Sequence, residues 1–102
     1  MDYTFEDGKL LIRRSRQEKD ELLRRLRRIE GQVRGLQQMI EDDRYCLDIT
    51  QQINATVAAL REVALLELAN HLEGCVAFAV EANDGQQAVS EMVSVLRAAM
   101  RQ

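Results

Sequence analysis

The sequence predicts an all-α fold built on a three-helix protomer, and three observations carry that prediction. The chain has no proline, no tryptophan and only 5 glycines, so it lacks the punctuation of a β-protein. Its apolar residues recur at alternating steps of three and four, the period of a helix with one buried stripe. Turn signals at 42–44 and 83–85 divide the part after residue 14 into three such segments.

Residues 1–14 show no clear period and are read as an N-terminal tail, with residues 15–102 as a single helical domain. Ser15 followed by Glu18 is a capping-box pattern that starts the first helix. Leu22, Leu26, Ile29, Val33, Leu36 and Ile40 form its stripe, widened by Leu23 and Met39. The cluster Glu41-Asp42-Asp43 suits the start of the next helix better than the end of this one, because helix N-termini attract negative charge. The second helix is expected from about residue 45 to 82. Its stripe reads Cys46, Ile49, Ile53, Val57, Leu60, Ala64, Leu68, His71, Cys75, and Ala55, Ala58 and Ala59 permit a close helix neighbour. Gly74 costs about 1 kcal/mol relative to alanine inside a helix, which implies a local demand for a missing side chain. Asn83-Asp84-Gly85 ends this helix, and a third follows with Val89, Val93, Leu96 and Met100 as its stripe.

A chain of 102 residues buries a modest core, so association is a natural source of further burial. No apolar run approaches about 18 residues and nothing resembles a signal peptide, so the expected location is the cytoplasm, with no membrane partner. There, cysteines serve as thiols, ligands or redox sensors rather than as a structural disulfide. The net charge of −3 conceals an asymmetry: most basic residues lie between Arg13 and Arg34, and beyond Tyr45 only Arg61, Arg97 and Arg101 remain. Such a segment attracts a polyanion even in an acidic protein. The plainer alternative is a solvated helix face laced with pairs such as Glu21 with Arg25.

Cys46, His71 and Cys75 are the only two cysteines and the only histidine, and all three fall on one stripe of the second helix. His71 and Cys75 are four residues apart, a spacing that lets two side chains share an ion. Cys46 lies about 38 Å from His71 along a continuous helix, too far for one metal to bridge. The three cooperate only if a second copy runs antiparallel, with its dyad near Leu60, giving two identical sites related by two-fold symmetry. Two thiolates and an imidazole select soft ions, Cu(I) or zinc, and the lack of an obvious fourth donor favours a low-coordinate soft ion. Taken alone, the cysteines read more readily as small core residues and the histidine as structural.

The run from Arg25 through Arg27-Arg28-Ile29-Glu30-Gly31-Gln32-Val33-Arg34-Gly35, then Met39-Ile40, Tyr45-Cys46-Leu47-Asp48 and His71-Leu72-x-x-Cys75, resembles the CsoR/RcnR family of small bacterial metal-responsive repressors. The resemblance covers roughly residues 16 to 101, and the order and spacing of Cys46, His71 and Cys75 match its copper-sensing CsoR branch. It implies a disc-shaped, all-helical dimer of dimers, a homotetramer without a helix-turn-helix. It also implies Cu(I) held by Cys46 of one subunit and by His71 and Cys75 of its partner, with Tyr45 and Glu91 in the surrounding shell. Copper uptake would release operator DNA and derepress copper efflux and homeostasis genes. The nickel and cobalt sensors of the family place a histidine where this chain has Cys75 and add one near the N-terminus, and this chain has neither. The formaldehyde sensors need an N-terminal proline, absent here. The persulfide sensors keep both cysteines without the histidine, so a thiol-based persulfide or redox sensor using Cys46 and Cys75 is the alternative function.

The residues expected to face double-stranded operator DNA are Arg24, Arg25, Arg28 and Arg34 on the first helix and Arg61 on the second. They would neutralise phosphates, making binding steeply salt-dependent. No nucleophile–base–acid set and no glycine-rich phosphate loop is present, so neither an enzyme nor a small-molecule substrate is expected.

Overall fold

The computed structural model describes residues 2–101 as a hairpin followed by three helices: β1 (Asp2–Glu6), β2 (Lys9–Arg13), α1 (Arg16–Glu41), α2 (Cys46–Glu81) and α3 (Gly85–Ala99). The three expected helices are present and account for most of the chain. The hairpin departs from the expected tail. Asp7 and Gly8 form its two-residue loop, both with positive φ (51° and 75°), the conformation that matches the twist of a tight hairpin. Antiparallel pairing sets Tyr3 opposite Ile12 and Phe5 opposite Leu10, so these four share one face. An isolated two-stranded hairpin is marginal in water. This one is docked: Tyr3 and Phe5 lie against Phe78 of α2 with ring centroids 5.9 and 4.7 Å away, and Leu10 is buried.

Ser15 caps α1 as expected: its side chain accepts from the Glu18 backbone and the Glu18 carboxylate accepts from the Ser15 N–H. The acidic cluster closes α1 instead of opening α2. Asp43 turns left-handed (φ 52°), its N–H donates to Ile40 O (3.1 Å), and Arg44 N–H donates to Met39 O (2.9 Å). This reciprocal closure satisfies the last carbonyls of the helix, which outweighs the unfavourable charge on its end. Asn83, also left-handed (φ 50°), ends α2, and the Asp84 carboxylate caps α3 by accepting from Gln87 N–H (3.1 Å).

The chain divides into two compact units, one comprising Ser15–Leu66, the other the hairpin with α2 from Glu67 onward and α3. Among the described residues the buried hydrophobic side chains are Ile29 in the first and Leu10, Cys75 and Ala88 in the second. So thin a core does little against the conformational entropy of folding. The expected stripe of α2 is shielded at Ile49, Leu68, His71 and Cys75 but open in between, where a partner chain is expected to cover it. Gln52, Thr56, Ala59 and Val63 are shielded, whereas Ile53, Val57 and Leu60 are 42, 40 and 46% exposed. The two polar members hid this face from a hydrophobicity reading, although Thr56 loses little by burial because its hydroxyl donates to Gln52 O (2.9 Å).

Leu47, Leu65, Val76 and Val80, also exposed, extend the apolar surface of α2 to another side. Over 18 residues α2 reaches a mean hydropathy of 1.5, enough by length and composition for a membrane span. Glu67, Asn70, His71 and Glu73 interrupt the apolar C-terminal half of α2, a pattern suited to a helix covered by other helices.

Candidate metal centre and basic face

The tight turn at Asn83–Asp84 returns the chain so that α3 presents Ala88 and Glu91, both buried, as its inner face. Glu91 meets His71 there: His71 Nε2–H donates to Glu91 Oε1 at 2.7 Å, with the two side chains 20 and 4% exposed. A buried carboxylate requires such a partner. The bond also fixes the imidazole, since a proton held on Nε2 leaves the lone pair on Nδ1, the nitrogen with no hydrogen bond among the described residues. One turn further along α2, Cys75 is fully buried. Burial first, and the Glu91 carboxylate second, push its thiol pKa upward.

The donor set therefore fits a soft ion. An oriented imidazole nitrogen and a thiol lie one helical turn apart, and the buried carboxylate beside them is engaged by the imidazole. It is incomplete in one chain: among the described residues no group of three His, Cys, Asp or Glu side chains converges to hold a metal. Cys46 and Tyr45 are exposed at the start of α2, Tyr45 by 69%. Cys46 belongs to the unit Ser15–Leu66, and His71, 25 positions further along α2, belongs with Cys75 to the other.

The basic face is only partly free. Arg24, Arg28 and Arg34 are exposed on the side of α1 away from its apolar stripe, whereas Arg25 is half-buried beside that stripe, one turn before buried Ile29. Arg24 and Arg25 both pair with Glu21, the latter at 3.1 Å. Arg28, Arg34 and Arg61 are exposed and make no ion pair among the described residues. The expected Glu21–Arg25 pair is thus present, and Glu21 also engages Arg24. Sequence reading missed the hairpin contacts, including an ion pair of Arg14 with Glu67, because no local pattern announces a partner 53 residues away.

Comparison with known proteins agrees with this picture. A family model described as a metal-sensitive transcriptional repressor matches residues 18–98. The copper-sensing transcriptional repressor CsoR of Bacillus subtilis is 52% identical over 91 residues, covering 89% of this chain and 90% of that protein. The copper-sensing repressor RicR of Mycobacterium tuberculosis is 56% identical over 64 residues, covering 63 and 67%. Among solved structures, copper-sensing CsoR with Cu(I) from Geobacillus thermodenitrificans superposes with a TM-score of 0.74 at 45% identity, covering 86% of this chain and 92% of that one. The nickel-responsive regulator InrS gives the same TM-score of 0.74 at 32% identity, covering 85 and 94%, so the backbone alone does not choose the metal. On the family match and the identity to CsoR, the chain belongs to the metal-sensitive transcriptional repressors, a family of regulators and not of enzymes.

Proposed function

We propose that this protein is a Cu(I)-responsive repressor that binds operator DNA when metal-free and releases it on Cu(I) uptake. The observation that carries the choice of ion is the His71–Glu91 bond beside buried Cys75: it readies one nitrogen and one sulfur on a single helical face. His71 and Cys75 would hold the ion together with Cys46 of the partner subunit, Tyr45 and Glu91 lying in the surrounding shell. Two thiolates and an imidazole suit Cu(I), which supplies no redox chemistry here and acts as a crosslink between subunits. The exposed apolar faces of α2 support the antiparallel dimer this requires, and exposed apolar surface on a further side supports a disc-shaped dimer of dimers. The proposed setting is the cytoplasm, where the operator lies.

Arg24, Arg25, Arg28, Arg34 and Arg61 would neutralise phosphates, the tetramer presenting four copies of the set. Pinning the end of one α2 to the start of its partner's changes the spacing of those copies, with α3 coupled through Glu91. Ligand and DNA then oppose one another reciprocally. The thiol-sensing alternative makes no use of His71, and a buried Cys75 whose thiol is held protonated is a poor nucleophile for sulfur transfer. Anaerobic Cu(I) titration against a competing chelator, followed by operator release, tests the proposal. Release by Cu(I) that is lost in Cys46→Ala supports it. Release by polysulfide but not Cu(I), with Cys46–Cys75 crosslinked dimers on a non-reducing gel, overturns it.

A further inference from the structure

The hairpin β1–β2 lies ahead of residue 18, where the family-model match begins. Its anchors on α2 bracket the candidate ligands. Arg14 pairs with Glu67, one turn before His71. Tyr3 and Phe5 pack on Phe78, one turn after Cys75, and Tyr3 Oη donates to Glu81 Oε2 at 2.6 Å. Glu67, Gly74, Phe78 and Glu81 share one helical stripe, and His71 and Cys75 lie along its edge. Gly74 is buried in the middle of that stripe.

Two further observations tie the hairpin to the centre. Its turn residue Gly8 lines one shallow surface depression together with Asp84, Gln87, Ser90 and Glu91 of the α3 N-terminal region, which places the turn on the same side of the molecule as that end of α3. The Arg14 and Glu67 side chains are 23 and 48% exposed, whereas the Arg13–Asp2 and Arg16–Asp20 pairs expose 63–75% of every side chain. An ion pair that is less screened holds geometry better than one at the open surface.

We propose that the N-terminal hairpin is a splint for the ligand-bearing half of α2, with Arg14, Tyr3 and Phe5 as positioning residues that keep the His71–Glu91 pair and Cys75 in ligand-ready geometry. This rests on the copper reading for its ligand but not for its metal-free signature. Without the splint, residues 67–81 would be held on that side by solvent, and the imidazole would sample other orientations and tautomers.

The test uses the full chain with Arg14→Ala, Arg14→Lys, Tyr3→Ala/Phe5→Ala and Gly8→Val, the last opposing the +75° turn without altering α2. Two readouts need no metal: nitrogen NMR of the His71 tautomer, and amide exchange across 67–81. Disruptive variants should convert a single Nε2–H tautomer into a mixture and speed exchange about tenfold or more in this segment while sparing α1. In the loaded protein, Cu(I) transfer to a chelator should accelerate by about 10- to 100-fold, the range for loss of outer-shell support. Arg14→Lys should recover most of each effect. A hairpin shown in Gly8→Val to have lost its Tyr3–Phe78 and Phe5–Phe78 contacts, with tautomer, exchange and transfer all unchanged, overturns the splint. If the double variant fails to fold, Arg14→Ala and Gly8→Val decide alone. If the unmodified protein takes up no Cu(I), the copper reading fails and the two metal-free readouts still decide the splint.

Discussion

Replacing Glu91 by alanine removes the acceptor that holds His71 Nε2–H at 2.7 Å in an environment where the two side chains are 20 and 4% exposed. A hydrogen bond to a charged group in such a place contributes about 1.5–3 kcal/mol, and little water is available to replace the acceptor. At about 1.4 kcal/mol per factor of ten, the loss corresponds to roughly 10- to 100-fold in any equilibrium that requires the ordered imidazole. Cys46, His71 and Cys75 are untouched, so Glu91→Ala should still take up Cu(I), more weakly by that factor. The larger effect falls on coupling, because Glu91 is the contact between the centre and α3. Operator affinity should respond to saturating Cu(I) far less than in the unmodified protein. Glu91→Gln keeps an acceptor oxygen but loses the charge, and should fall between the two. Fluorescence anisotropy of labelled operator DNA, measured anaerobically with and without Cu(I), reads both effects. A Glu91→Ala protein with unaltered copper affinity and unaltered release would refute the coupling role.

Glu21 engages both Arg24 and Arg25, so Glu21→Gln should free two guanidiniums and tighten operator binding by about two- to fivefold at low salt, in line with exposed pairs worth under about 1 kcal/mol; binding that weakens instead contradicts the placement of these arginines on DNA. Leu60 is 46% exposed and close to the proposed dyad, so Leu60→Asp sets two carboxylates facing each other in an apolar seam and should dissociate the assembly in sedimentation, whereas an unchanged mass rules out that seam. Because burial and the Glu91 carboxylate raise the Cys75 thiol pKa, metal-free protein should be alkylated at Cys46 well before Cys75 by peptide mass mapping, and Cys75 should respond only at a pH above the ordinary thiol range. The same shift makes the folded state hold a proton that the unfolded chain loses, so its contribution to stability is present below the ordinary thiol pKa and declines as pH rises beyond it.

Much of the helical frame was legible because it rests on local rules. The Ser15–Glu18 capping box, the break after Glu41 and the Asn83-Asp84-Gly85 turn each act within a few residues. The hairpin was legible in principle, since Asp7-Gly8 stands between alternating Tyr3/Phe5 and Leu10/Ile12, but five-residue strands give a weak period. Which face of α2 would be shielded in its middle was not legible, because Gln52 and Thr56 look polar and are tolerated only through tertiary packing and a backbone acceptor. At the centre, spacing identified His71 and Cys75 as a pair on one face. That Glu91 would meet His71 through Nε2, leaving Nδ1 free, depends on how α3 returns after Asn83, which no pattern within either helix encodes.

Mixed subunits decide whether each complete centre is built from two chains. A chain carrying Cys46→Ala and a chain carrying His71→Ala/Cys75→Ala each lack a complete ligand set. Co-refolded or co-expressed with different tags and purified as a heterodimer, they regain one centre: the second chain contributes Cys46 and the first contributes His71 and Cys75. An intersubunit centre gives one Cu(I) per heterodimer at the unmodified affinity, and none at that affinity in either parent homodimer. A heterodimer that binds no better than its parents would contradict it.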